Sequence, residues 1–366
     1  MAGLERYARQ IALPEFGSAG QERLRAGSVL IVGAGGLGSP AAMYLAAAGV
    51  GRIGLVDFDL VDQTNLQRQV IYGTSDVGRP KLEAASARLC ALNPEIRLDL
   101  HGEPFGAANA RALVTAYDVV VDGTDNFPTR YLVNDACVMA RTPNVYGSVS
   151  RFEGQASVFA TPGGPCYRCL HPEPPPDGLI LSCAEGGVLG VLPGLIGMIQ
   201  ATEAIKLLTR LGEPLVGRFL LYDALRMRFR EIELARDPDC PVCGDHPTIR
   251  ELVEYGRTCE TGPMSYELPT DMTVDDLKQW QSEGRKHVLV DVREPGEHAI
   301  GAIEGSILIP LGQLGQRVGE LPTDTPIVAY CQGGGRSARA VAMLRAKGLE
   351  AHNLVGGFRA WDAADD

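Results

Sequence analysis

Cys166-Tyr-Arg-Cys169 and Cys240-Pro-Val-Cys243 are two CxxC turns in a chain of 366 residues with nine cysteines. Two thiolates on each turn can complete a tetrahedral four-sulfur shell around Zn2+. Four thiolates leave no open coordination position, so such a metal is structural. Either pair alone could be a redox dithiol, but two pairs without thioredoxin-like surroundings favour zinc. His171 and His246 lie nearby and are spare once four sulfurs are counted.

Two further cysteines sit in reactive contexts. Cys331 ends an apolar run and is followed by Gln-Gly-Gly-Gly-Arg336-Ser337. Such a loop can curl several backbone N–H groups and a helix N-terminus around the sulfur, stabilising a thiolate or persulfide. It is one residue shorter between Cys331 and Arg336 than a phosphatase cradle, which suits a terminal sulfur atom rather than a phosphate. Cys183 lies between the Pro-rich stretch His171–Gly178 and a long helical pattern at 188–209. A thiol there can reach an activated carbonyl, or it can simply fill a small buried space.

A third group handles anions. Gly33-Ala-Gly35-Gly36-Leu-Gly38 follows an apolar run and opens a helix, as a phosphate-binding turn does. Asp57, ~20 residues on, fits a ribose-hydroxyl acceptor. A Gly-rich turn by itself fits NAD(P) equally well. Asn65-Leu-Gln-Arg68-Gln69 and Gly78-Arg-Pro-Lys81 shift the balance. Cations here suit a triphosphate that is about to lose pyrophosphate, because charge builds on the leaving group. Asp125 could hold a magnesium ion. The competing reading makes Arg68 and Lys81 solvated surface charges.

The elements that must position these groups alternate. Ser28–Gly33, Ile53–Asp57 and Val119–Asp122 read as buried strands; 37–48, Lys81–Leu92 and Asn126–Ala140 read as helices. Gln155–Phe159 and Phe219–Tyr222 add strands. This predicts an α/β fold with a Rossmann-like, mostly parallel sheet carrying the nucleotide site. From 249 to 271 the periodicity lapses among polar residues, Gly262, Pro263 and Pro269, which predicts a linker. A smaller α/β pattern follows, with strands at Val288–Asp291 and Ile327–Cys331 and a helix at Ser337–Lys347. The expected domains are 1–248, the linker 249–271, and 272–366. Cys90 and Cys137 fall in expected helices and read as core residues; Cys259 is a lone thiol in the linker.

Charge narrows the function classes. Lys plus Arg number 34 against 45 Asp plus Glu, a net charge of −11, which speaks against nonspecific nucleic-acid or membrane-surface binding. The apolar stretch Gly186–Leu208 is broken by Pro193, Glu203 and Lys206, so it reads as a buried helix rather than a membrane span. An odd cysteine count and a start without an apolar signal core point to the cytoplasm.

RYARQ (6–10), GAGGLG (33–38), DFD (57–59), NLQRQ (65–69), GRPK (78–81) and DGTDN (122–126) together resemble the MoeB/ThiF superfamily. Those are the ubiquitin-activating-enzyme-like adenylyltransferases of ubiquitin-fold sulfur carriers, and the resemblance spans roughly residues 4–245. It implies that Gly36, Asp57, Asn65, Arg68, Lys81, Asp125 and Asn126 bind ATP and Mg2+. It also implies that Arg9 reaches the active site of a second subunit in a homodimer, and that the four-cysteine zinc site is present. Some members use the cysteine matching Cys183 as acceptor of the activated carrier.

DVREP (291–295), GAIEGSILIP (301–310), YCQGGGRS (330–337) and LVGGFRAW (354–361) resemble a rhodanese domain, with Ala302 where such domains often carry His. The combination implies an adenylyltransferase/sulfurtransferase. ATP would activate the C-terminal glycine of a Gly-Gly-ended carrier, and a Cys331 persulfide, loaded by a cysteine desulfurase or thiosulfate, would then attack it. Molybdopterin or a related sulfur-containing product is the implied destination. The alternative is a carrier-binding regulatory scaffold with a non-catalytic nucleotide site, and a dehydrogenase ranks third.

Overall fold

A computed structural model describes residues 4–174, 187–254 and 271–364. The chain divides into two compact units, Met1–Cys259 and Glu260–Asp366.

The first unit is built on an eight-stranded sheet in the order β3-β2-β1-β4-β5-β6-β7-β8. Its strands are β1 (Ser28–Val32), β2 (Arg52–Val56), β3 (Arg97–His101), β4 (Val119–Asp122), β5 (Asn144–Ser150), β6 (Glu153–Phe159), β7 (Arg218–Asp223) and β8 (Arg228–Glu233). The first five pair in parallel, and β5 through β8 continue antiparallel. Continuous Val/Leu/Ile runs make β1 and β4 the buried centre, because helices cover both faces of a parallel sheet.

On one face lie α1 (Gly17–Ala26), α2 (Gly38–Ala48), α3 (Lys81–Leu92) and α6 (Val191–Thr209), which pack Leu24, Leu45, Leu89 and Ala204 into one core. On the other lie α4 (Ala107–Thr115) and α5 (Phe127–Ala140), around Leu30, Val120, Val133 and Cys137. Helix α6 is long and apolar enough to cross a membrane by length and composition. It buries Leu192, Ile196, Ala201 and Ala204 in the cores of this unit.

The second unit has a five-stranded parallel sheet, β11-β10-β12-β13-β9. Its strands are β9 (Asp271–Met272), β10 (Val288–Asp291), β11 (Ile307–Leu308), β12 (Ile327–Tyr330) and β13 (Ala351–Leu354). The helices are α7 (Val274–Ser282), α8 (Pro295–Ile300), α9 (Leu311–Arg317), α10 (Gly335–Ala346) and α11 (Gly357–Asp362). Trp280 and Trp361 both pack beside its Leu277–Leu354 cluster.

Two expectations need adjustment. Ile249, Leu252 and Glu254, at the start of the expected linker, pack on the first unit, and Glu254 Oε1 accepts from the Ala107 N–H at 2.6 Å. Cys137 is buried, but Cys90 is exposed. Helix α3 turns Leu82, Ala85 and Leu89 inward, and position 90 falls outside that stripe. Cys183 and Cys259 lie outside the described residues.

Candidate functional sites

Strands β2 and β4 leave β1 in opposite directions, and ligands of open α/β sheets bind at such a switch point. The Gly-rich turn lies there, and its glycines do different jobs. A Cβ on Gly38 would stand 1.9 Å from the Gly33 carbonyl oxygen, so that glycine lets the helix start close against the strand. A Cβ on Gly36 would touch Pro193 of α6 at 3.0 Å and Arg68 Cδ at 3.5 Å, which brings Arg68 over the turn. At Gly35 a Cβ would meet nothing nearer than Gln69 Nε2 at 3.7 Å.

Asp57, just past β2, accepts from the Ala34 N–H at 2.9 Å and from the Asp59 N–H at 3.0 Å. Lys81 is 5% exposed, with Nζ 2.7 Å from Asp59 Oδ2 and 3.7 Å from Asp57 Oδ1. The solvated-surface reading of Lys81 therefore fails. Burial raises the Asp57 carboxyl above its ordinary value, and Lys81 opposes that rise. Arg68 is half-buried and donates to the Thr64 carbonyl at 3.1 Å; Asn65 Oδ1 accepts from the Asp62 N–H at 3.3 Å.

Beyond β4, Gly123 packs against Gly33 backbone to backbone, which places Asp125 and Asn126, both exposed, beside the turn. Asn126 caps α5 through the Thr129 N–H at 3.0 Å. A brace that residue patterns did not reveal fixes this loop. Fully buried Asp122 accepts from the Thr124 N–H and hydroxyl, and Arg130 donates to the Thr124 carbonyl at 3.0 Å. Gln200 of α6 donates to the Asp122 carbonyl at 2.7 Å.

Arg9 is exposed on the single turn Ala8–Ile11. Its neighbours anchor at the far end of α2: Gln10 donates to the Ala48 carbonyl at 3.2 Å, and Tyr7 lies against Gly49. That is one helix length, about 15 Å, from the Gly-rich turn of the same chain.

The four cysteines of the two CxxC turns converge. Their sulfurs all lie within 4.8 Å of one another, with Cys166 to Cys240 at 3.6 Å and Cys169 to Cys243 at 3.4 Å. The edge of a tetrahedral four-sulfur zinc site is about 3.8 Å, so the donor set fits zinc. The N–H groups of Cys166 and Asp237 each donate to Cys169 Sγ at 3.4 Å, as expected of a thiolate. Cys240 to Gly244 closes a tight knuckle in which a Cβ on Gly244 would hit the Cys240 carbonyl at 2.4 Å. Buried Arg168, between the first two cysteines, forms a two-point ion pair with buried Asp135 at 2.8 and 2.9 Å. His171 stands outside this sulfur set, and its ring lies tilted against Tyr167 with centroids 5.2 Å apart.

In the second unit, Cys331 is 2% exposed at the end of β12. The Gly334 N–H donates to its sulfur at 3.1 Å, and Ser337 Oγ lies 3.5 Å away. The loop is clamped from behind: the N–H groups of Phe358 and Arg359 donate to the Cys331 and Gln332 carbonyls at 2.7 and 3.1 Å. Gly357 has φ +58°, and a Cβ there would stand 2.2 Å from the Cys331 carbonyl oxygen, so the Gly-Gly pair is what permits this clamp.

Arg336 forms a two-point ion pair with Glu297 at 2.6 and 2.7 Å, tying the cradle helix to α8. Arg293, 1% exposed, binds Asp291 and reaches Gln332 Oε1 at 3.2 Å. Burial would raise the Asp291 and Glu297 carboxyls, but the hydrogen bonds from Arg293 and His298, and from Arg336, hold both below their ordinary values. Residue types in sequence do not reveal the roles of Glu297, which pairs with Arg336 39 residues on, or of Asn353, which bonds Asp271 82 residues away.

Comparison with known proteins gives a consistent picture. The ThiF family model matches residues 7–242, and the rhodanese-like domain model matches 273–364. The chain is 48% identical to the probable adenylyltransferase/sulfurtransferase MoeZ of Mycobacterium tuberculosis, over 97% of this chain and 92% of that one. It is 54% identical to the sulfur carrier protein adenylyltransferase of Thermus thermophilus, over 70% of this chain and 96% of that one. Escherichia coli MccB, solved with ATP, shares the fold with a TM-score of 0.52 at 24% identity, covering 62% of this chain and 69% of that one.

Proposed function

The chain belongs to the ThiF family and carries a rhodanese-like domain behind it, and from that premise we propose how this adenylyltransferase and sulfurtransferase divides its work. The first unit binds ATP at the Gly-rich turn and activates the C-terminal glycine of a ubiquitin-like sulfur carrier ending in Gly-Gly. The carrier carboxylate, a poor electrophile, attacks the α-phosphate and displaces pyrophosphate, giving an acyl-adenylate. Gly36, Asp57, Asn65, Arg68, Lys81 and Asn126 bind the nucleotide, with Arg68 and Lys81 facing the charge that builds on the leaving group. Asp125 would hold Mg2+, which screens the phosphates.

The second unit supplies sulfur. A donor such as a cysteine desulfurase or thiosulfate loads a persulfide on Cys331. Its terminal sulfur attacks the acyl carbon and expels AMP, leaving an acyl disulfide. A thiol, from Cys183 or from outside, reduces that disulfide and frees the carrier thiocarboxylate. The thiocarboxylate serves molybdopterin or a related sulfur-containing product. Arg336 holds the cradle through Glu297.

The observation that carries this reading is one chain holding both a nucleotide crevice with a buried lysine and a sulfur that accepts a backbone N–H at 3.1 Å. The domain bounds 1–248 and 272–366, the cytoplasmic location and the homodimer belong to the same proposal. The dimer is supported by Arg9 lying a helix length from its own crevice. A structural zinc held by Cys166, Cys169, Cys240 and Cys243 keeps the first unit folded.

Cys331→Ala tests the division. It should keep carrier-dependent pyrophosphate exchange near wild type while accepting no sulfur and yielding no thiocarboxylate. Asp125→Ala should do the reverse, loading a persulfide without forming acyl-adenylate. Exchange abolished by Cys331→Ala in a folded protein would overturn the scheme. A regulatory scaffold would show no exchange in the wild type.

A further inference from the structure

Three side chains meet on one residue of the Gly-rich turn. The Ala34 carbonyl accepts from Tyr72 Oη at 2.9 Å and from Ser39 Oγ at 3.1 Å, while Asp57 holds the Ala34 N–H. Tyr72 follows the NLQRQ segment, and Ser39 lies in the first turn of α2; they are 7% and 0% exposed. Both lone pairs of this carbonyl are thus taken by hydroxyls from different parts of the chain. Burial pushes the Tyr72 phenol up, and Asp57, Asp59 and Asp76 push it the same way, so it keeps the proton it donates. The Ser39 N–H donates to the Gly35 carbonyl at 2.9 Å, which pins the next peptide as well. A planar trans peptide points its C=O and its N–H in opposite directions. With the Ala34 carbonyl turned to two buried hydroxyls, the Gly35 N–H faces the other way, toward the open side of the turn, where Gly35 itself is half-buried.

We propose that Tyr72 and Ser39 are a pair of positioning residues that clamp the Ala34–Gly35 peptide so that the Gly35 N–H is aimed at the phosphates of ATP. The inference rests on the reading of the first unit as an ATP site, and it assigns neither hydroxyl a contact with the nucleotide. A glycine at 35 allows a ligand to come close, but its conformational freedom also lets this peptide flip and present an oxygen to an anion. Two hydroxyls on one carbonyl remove that alternative. Asp57 restrains the peptide before this one, and the Ser39 N–H restrains the one after. The plane between them is the one that the two hydroxyls decide.

The test is ATP binding by the full-length, zinc-loaded protein, titrated by calorimetry with Mg2+ and without a carrier, so that nothing turns over. Adenosine is measured in the same way as a competitor. Tyr72→Phe keeps the ring in its core, Ser39→Ala removes one small hydroxyl, and melting curves confirm that each variant folds. Each change alone should weaken ATP binding roughly two- to threefold, because the other donor still holds the carbonyl. Together they should weaken it roughly ten- to twentyfold, within the span of one to two net hydrogen bonds. Tyr72→Phe should therefore cost more in the Ser39→Ala background than in wild type. Adenosine has no phosphate to receive the N–H and should bind all four proteins alike. A double variant with wild-type affinity for ATP overturns the inference. So does adenosine weakened by the same factor as ATP, because a crevice distorted as a whole gives that result. Either failure leaves the ATP reading standing, whereas a wild type that binds no ATP removes that reading and the inference with it.

Discussion

Gly35 and Gly38 lie three residues apart in one turn, and the geometry assigns them opposite consequences when each is changed to Ala. At Gly38 the new Cβ would sit 1.9 Å from the Gly33 carbonyl oxygen. A real Cβ contact needs about 3.0 Å, so β1 and α2 must part by about 1 Å. Ile31 and Ala41 on either side are fully buried, and the opposing atom is backbone, so no side chain can swing away. Overpacking of this kind costs ~1–3 kcal/mol, and rigid backbone places Gly38→Ala at about 3 kcal/mol. For a unit of this size, that lowers the melting temperature by roughly 6–12 °C. At Gly35 the Cβ meets the end of one flexible side chain at 3.7 Å, so stability should stay within ~0.5 kcal/mol of wild type. The methyl would instead stand where the nucleotide approaches, and loss of one good phosphate contact raises the ATP KM about tenfold, or ~1.4 kcal/mol. Calorimetry gives the first quantity and carrier-dependent pyrophosphate exchange the second. If Gly35→Ala destabilises as much as Gly38→Ala, or if it leaves the ATP KM unchanged, the assignment is wrong.

The remaining expectations concern metal, subunits and acid. Metal analysis should find about one zinc per chain, and Cys166→Ser should lose it together with melting temperature and solubility; metal-free protein that melts like wild type would refute a structural zinc. Arg9→Ala should fold but fail to adenylate, and mixing it with Asp125→Ala should restore part of the activity; no recovery in demonstrated mixed dimers would refute a shared site. Asp291 and Glu297 have folded-state values below their ordinary 3.8 and 4.5, so the stability they contribute is present above those values and is lost as pH falls through the folded-state values. The Trp280/Trp361 fluorescence transition should therefore shift to lower denaturant on acidification from about pH 6 to about pH 3.5, less steeply in Glu297→Gln; an equal slope in that variant would refute the Glu297 contribution.

Sequence pattern alone locates what is locally encoded. β1, β2, β4, α3 and α10 follow from apolar runs and helical periods, and the CxxC pairs and Cys331 from spacing. Elements without an apolar stripe are not legible. β8 (RFREIE) is exposed at every position and exists because it pairs with β7. β9 and β11 have two residues each and owe their form to their neighbours. Charged groups bonded across the fold are equally hidden. Arg168 and Asp135 are 33 residues apart, and Asn353 and Asp271 are 82 apart. A charged residue in sequence reads as solvated until a partner from another element is beside it. Lys81 shows the cost of that default: surface charge is the competing reading, yet the side chain is buried between two carboxylates.

The cysteine cluster also sets a timetable for synthesis. Cys166 and Cys240 are 74 residues apart. At ~5–20 residues per second, the second knuckle leaves the ribosome about 4–15 s after the first. During that interval Cys166 and Cys169 form half a site, open to oxidation or to a wrongly coordinated metal. Arg168 is placed to shorten that exposure, because its partner Asp135 and the neighbouring Tyr131 precede it in the chain. The first knuckle can thus be shaped and partly shielded before its other half has been made.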